Sequence, residues 1–136
     1  MARYIAFDYG TRRIGIAVTD SGAIVAAPEC TCSPEDLPNV LKRLVEAESC
    51  AGFVVGMPGL ILGTTTDSTA PIRAFVDQLR KAHPDLPVEL VDEDDTSREA
   101  SLAMVQSGMR KSKRREKGQL DQLAATLILQ RFLDRR

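Results

Sequence analysis

Three short apolar segments, residues 3–9, 13–19 and about 23–31, follow one another with only YGTRR and DSG between them. Gaps that short can reverse a chain but cannot carry it back across a sheet, so the three should pair as an antiparallel meander. From residue 33 the periodicity changes. SPEDLPNVLKRLVEAES places Leu37, Val40, Leu41, Leu44 and Val45 on one side of a helix, with Ser33 as N-cap and Pro34 at the first helical position. GFVVGM reads as a buried strand, followed by the loop PGLILGTTTDST and a helix over about 70–82. LPVELVDE is the fifth strand, and TSREASLAMVQSG a helix with a capping box from Thr96 to Glu99 and Gly108 at its end. The basic RKSKRREKG then leads into a last helix, QLDQLAATLILQRFL. Helical crossovers make strands one, four and five parallel. The expectation is one α/β domain over residues 1–136, a five-stranded mixed sheet with helices on both faces.

That topology gives the acids of the chain a common address. Asp8 stands at the carboxyl end of the first strand and Glu93 at the carboxyl end of the fifth, within VDEDD. In open sheets with helical crossovers, sites form outside the carboxyl ends of the parallel strands. The last helix supplies a third acid. At about 100° per residue, Asp121 falls between Ile128 and Phe132, roughly 20° from each, on the apolar face. A carboxylate there needs a cation or donors beside it, because burying it unpaired is costly. Three hard oxygen groups on one edge would suit Mg²⁺ or Mn²⁺ and phosphodiester chemistry. Each acid also has a purely structural alternative: Asp8 bonding its own turn, one acid of DEDD capping a helix, and Asp121 as a first-turn dipole partner.

Composition narrows the remaining classes. With 43% apolar and 27% charged residues the chain is ordinary globular protein, and a net charge of −1 gives no global attraction to nucleic acid. A basic footprint must therefore be local. The tract Arg110, Lys111, Lys113, Arg114, Arg115 and Lys117 provides one, against the single acid Glu116. Placed just before Asp121, it could hold a phosphate backbone, and Arg12 and Arg13 beside Asp8 could extend the same surface. Low aromatic content, 4%, argues against base stacking and for backbone and shape recognition. The apolar runs are too short to cross a membrane, and no charged leader precedes an apolar segment, so a cytoplasmic protein is expected. Three cysteines are a poor disulfide framework and one histidine, His83, rules against a zinc quartet; the thiols read as small reduced apolar residues and His83 as a solvated helix end. GMPGLILGTTTDS lacks the lysine of a Walker A loop.

FDYGTRRIGIAVTD, VVGMP, VDEDDTSREA and LDQLAATLILQRFL, taken in this order, resemble the YqgF family of Holliday-junction-resolvase-like proteins linked to pre-16S rRNA processing. The resemblance runs from about residue 3 to 133. It implies a ribonuclease H-like fold and a divalent-metal nuclease acting on structured nucleic acid, precursor rRNA or branched DNA. The family's acids map onto Asp8, Glu93 and Asp121, as catalytic residues and as ligands of Mg²⁺ or Mn²⁺. Two departures stand out. Asp94 follows Glu93 where the family commonly has arginine, which moves the local charge by two units, and Leu60, Ile61 and Leu62 occupy a loop that is usually polar. DYGT also resembles the first phosphate loop of actin-like ATPases, but those need a second such domain. A Holliday-junction resolvase and a non-catalytic nucleic-acid-binding module of the same fold are the competing functions, and junction resolution would require a dimer, for which the sequence displays no clear surface.

Overall fold

The computed structural model describes residues 2–58, 69–92 and 117–136. Its sheet contains β1 (Arg3–Tyr9), β2 (Ile14–Thr19), β3 (Ala26–Cys32), β4 (Cys50–Met57) and β5 (Val88–Asp92), in the order β3-β2-β1-β4-β5. Three helices are described: α1 (Leu37–Ala47), α2 (Thr69–Ala82) and α3 (Lys117–Asp134). The meander and the crossovers are as the gap lengths require. β1 pairs antiparallel with β2, β2 with β3, and β1–β4 and β4–β5 are parallel. The expected helix over residues 96–108, the loop at 60–62, Glu93, Asp94 and the tract from Arg110 to Arg115 lie outside the described residues, as does the Lys117 side chain.

Strand alternation sends two different kinds of side chain to the two faces. Ile5, Phe7, Ile14, Ile16, Val18, Phe53, Val55 and Met57 pack against α1 and α2 in a core of large residues. The opposite face carries Ala6, Ala17, Val54 and Val91, which meet Ala125, Ile128, Leu129 and Phe132 of α3. Burying a large aliphatic or aromatic side chain contributes about 1.5–3 kcal/mol, so the first face is the main source of stability. The second face, paved with alanine, trades area for a short distance between helix and sheet.

Local chemistry refines several expected boundaries. α1 begins at Leu37, not Pro34. The amides of Asp36 and Leu37 donate to the Ser33 carbonyl, but Pro38 has no N–H to continue that ladder from residue 34. Ser33 therefore closes a turn ahead of the helix, with its Oγ accepting from the Asp36 amide at 3.3 Å. α1 also lacks a basic residue in its last turn, and Arg3 from β1 supplies the charge, donating to the Leu44 carbonyl at 2.9 Å. His83 is not a free helix end: its ring packs edge-on to Phe53, with centroids 5.2 Å apart. Far across the sheet, Arg135 and Arg131 donate to the Leu90 and Asp92 carbonyls and so tie α3 to β5.

β3 begins at Ala26 instead of residue 23, because Asp20 holds the preceding residues in a loop. Its Oδ1 accepts from the Ile24 amide at 2.7 Å and the Val25 amide at 3.0 Å, and Ala23 takes a positive φ of 54°. The Val25 amide first, and then Ile24, holds the Asp20 carboxyl below its ordinary 3.8. A depressed carboxyl stabilises the fold above its unfolded value and loses that contribution as pH falls through the folded one. Asp20→Ala should lower the melting temperature at pH 7, and the gap to the wild type should close as melts are taken below about pH 3.8.

Cys30, Cys32 and Cys50 are free and half-buried. Burial raises all three thiols, Cys32 to about 11 from an ordinary 9.0. At neutral pH Cys32 then has roughly a hundredth of the thiolate of an unperturbed cysteine. Iodoacetamide labelling followed by mass spectrometry should mark Cys32 far more slowly in the native protein than in guanidinium, and equal rates would show that the thiol is not shielded.

Candidate nucleic-acid cleavage site

The β1–β2 turn builds one wall of the site. Tyr9 stacks on Phe75 of α2, with centroids 4.6 Å apart, and fixes the end of β1. Gly10 comes next because the chain doubles back tightly: a Cβ there would lie 2.5 Å from the Arg13 carbonyl oxygen. Thr11, Arg12 and Arg13 are exposed at the turn. Asp8 is half-buried, lies on the same face as Ala6, and pairs with Gly15 of β2.

The other wall is α3, and Gly15 sets how near it comes. A Cβ on Gly15 would overlap the carbonyl group of Asp121 and stand 2.9 Å from the Gln122 nitrogen. These are backbone atoms, which cannot rotate aside. Only glycine lets the helix rest on the β2 backbone here, directly beside Asp8. The Asp8–Gly15 pair and the Gly15–Asp121 contact thus place the two acids at one sheet edge. Asp8, Tyr9, Gly10, Thr11, Arg12, Arg13 and Asp121 line a cleft of about 270 Å³ there.

Asp121 has the cation its position demands. Arg13 Nε donates to its Oδ2 at 2.7 Å, with the arginine side chain 42% exposed and the aspartate 19%. α3 starts at Lys117, two residues before the sequence-based boundary, so Asp121 lies beyond the first turn, which contains no acid. The alternative of a first-turn dipole partner therefore loses its basis, since the dipole effect fades within that turn. Arg13, which the sequence assigned to nucleic acid, is bonded to a carboxylate, while Arg12 remains exposed in the same cleft.

Of the acids read from the sequence, the structure brings Asp8 and Asp121 together; Glu93 follows Asp92, where the described part of β5 ends. Among the described residues no three His, Cys, Asp or Glu side chains form a metal-binding group. The two carboxylates offer only hard oxygen donors, the set that Mg²⁺ and Mn²⁺ take, and a cation already sits on one of them. The cleft therefore fits such an ion. Sequence reasoning missed Gly15, whose role depends on a helix a hundred residues later, and Arg131, which ties α3 to the carboxyl end of β5. A glycine amid the apolar IGIAV was the available signal for the first.

Comparison with known proteins places this arrangement. A family model described as "RuvX: Holliday junction resolvase" matches residues 2–135. A protein of Chlorobium luteolum named "Putative pre-16S rRNA nuclease" is 44% identical over 132 residues, covering 97% of this chain and 94% of that protein. One of the same name from Phocaeicola vulgatus is 40% identical over 134 residues, covering 98% and 96%. The structure of T. thermophilus RuvC in complex with a Holliday junction substrate superposes with a TM-score of 0.55, at 16% identity, over 99% of this chain and 96% of that one. That likeness shows the ribonuclease H-like fold. With a family model spanning nearly every residue and close relatives matching end to end, the chain belongs to the RuvX (YqgF) family of Holliday-junction-resolvase-like proteins.

Proposed function

We propose that the chain is a divalent-metal-dependent nuclease that processes precursor 16S rRNA in the cytoplasm, with Asp8, Glu93 and Asp121 as its catalytic, metal-holding acids. The observation that carries this reading is the meeting of Asp8 and Asp121 in one cleft with Arg12 and Arg13 on its rim. Relatives carrying the pre-16S rRNA nuclease name support the substrate. Glu93 enters on the sequence motif and on its place directly after Asp92.

The residues divide the work by charge. Asp8 and Asp121 (with Glu93) would hold Mg²⁺ or Mn²⁺, and the ion when bound supplies an activated water and stabilises charge on the phosphate oxygens. The half-buried setting of the two described acids limits solvent around the charges they carry, which strengthens their hold on a cation. Arg12, exposed at the turn, orients a phosphate against the cleft. Arg110, Lys111, Lys113, Arg114 and Arg115 precede α3 in the chain and Lys117 begins it, a local run of positive charge that would hold the nucleic-acid backbone.

Asp8→Asn, Glu93→Gln and Asp121→Asn should each abolish cleavage of a precursor-rRNA fragment while leaving its binding largely intact. Loss of a partner to a metal ligand already costs about 10–100-fold, so loss of a ligand should exceed that. Turnover assays with Mg²⁺ and with EDTA, on precursor RNA and on a four-way DNA junction, would check this. Wild-type rates in a folded variant would remove that residue from the site. Cleavage of the junction alone would make the chain a resolvase, and binding without cleavage of either would make it a non-catalytic module.

A further inference from the structure

Arg13 is the feature of the cleft that the nuclease reading does not by itself explain. It lines the cleft beside Arg12, yet its guanidinium is bonded to one of the acids that would hold the metal. The bond runs through Nε alone, at 2.7 Å, and not through the two-pronged end that arginine uses in its strongest carboxylate pairs. The arginine is 42% exposed and stands directly before β2. With its arginine end open to solvent, the pair falls among those that contribute only about 0.2–1 kcal/mol, weak enough to be exchanged.

We propose that Arg13 is the built-in counter-cation of Asp121 in the metal-free protein, released to a phosphate of the nucleic acid when a divalent ion takes the carboxylate. The inference rests on the metal-site reading above and adds a coupling to it. A divalent ion on Asp121 frees the guanidinium into the cleft it shares with Arg12, where its planar fork suits a phosphate. Conversely, a phosphate that draws Arg13 away leaves Asp121 open to the ion. By linkage the two ligands must strengthen each other by the same factor. The exchange also leaves Asp121 with a positive charge beside it before substrate arrives.

Equilibrium Mn²⁺ titrations followed by electron paramagnetic resonance would test this on the full chain. They would be run with and without an RNA hairpin recovered intact afterwards. Arg13→Gln should bind Mn²⁺ about 1.4- to 5-fold more tightly than the wild type, the factor to which the pair's strength converts. RNA should tighten Mn²⁺ binding in the wild type and in Arg13→Lys, and should do so much less in Arg13→Gln. Arg12→Gln, which removes a charge from the same cleft without touching Asp121, should leave the metal-only affinity close to wild type. Unchanged or weaker Mn²⁺ binding by Arg13→Gln would overturn the proposal and make Arg13 a fixed clamp that orients Asp121. Equal tightening by Arg12→Gln would overturn it in favour of general charge repulsion. If wild type and Asp121→Asn bind Mn²⁺ alike, the metal-site reading itself fails and the exchange falls with it.

Discussion

The contact between the first turns of α3 and the bare backbone of Gly15 is the constraint on which the site depends. Asp8 and Asp121 come from opposite ends of the chain and from elements that have no reason to meet unless a helix can lie against a strand without a side chain between them. Gly15 removes that side chain at the one residue that is also the register partner of Asp8. Ala6 and Ala17, facing Ala125, extend the same close approach along the helix. The opposite end of α3 is held by Phe132 against Tyr4, with ring centroids 4.9 Å apart, and by Arg131 and Arg135 on the carbonyls of β5. A helix pinned at both ends cannot slide, and Asp121 inherits that fixity.

The two faces of the sheet consequently do different jobs. Phe7, Phe53, Phe75 and the surrounding isoleucines and leucines bury large side chains under α1 and α2, and that face stabilises the domain. The α3 face has a smaller core, with its acids at one edge. Carboxylates gathered beside each other are a cost to folding, and the Arg13–Asp121 bond offsets part of it. Stability on one side of the sheet thus makes room for chemistry on the other.

Much of this was legible in the residues. Gap lengths point to the meander and the parallel crossovers, while the strand order β3-β2-β1-β4-β5 appears only in the structure. Asp121 betrays itself by standing on an apolar helical face, and Asp8 by ending a buried strand. What escaped was set by partners remote in sequence or by atoms that a residue lacks. Pro38 delays α1 through a missing N–H, and Asp20 shortens β3 by capturing the amides of Ile24 and Val25. Gly15 works through an absent Cβ. Arg13 reads as a phosphate-seeking turn residue until the fold brings Asp121 within 2.7 Å of it.

The Mn²⁺ affinity of Gly15→Ala tests the account at its root. The added Cβ must displace the Asp121 backbone, at about 1–3 kcal/mol for a forced shift of a packed element, which a domain of this size can tolerate. With the fold retained by circular dichroism, Mn²⁺ binding should weaken by roughly tenfold or more, although neither acid has been altered. Gly52→Ala, crowded by Pro87 Cγ at 2.9 Å on a strand away from the cleft, should lose stability and keep its metal affinity. Wild-type Mn²⁺ affinity in folded Gly15→Ala would contradict the claim that this glycine assembles the site.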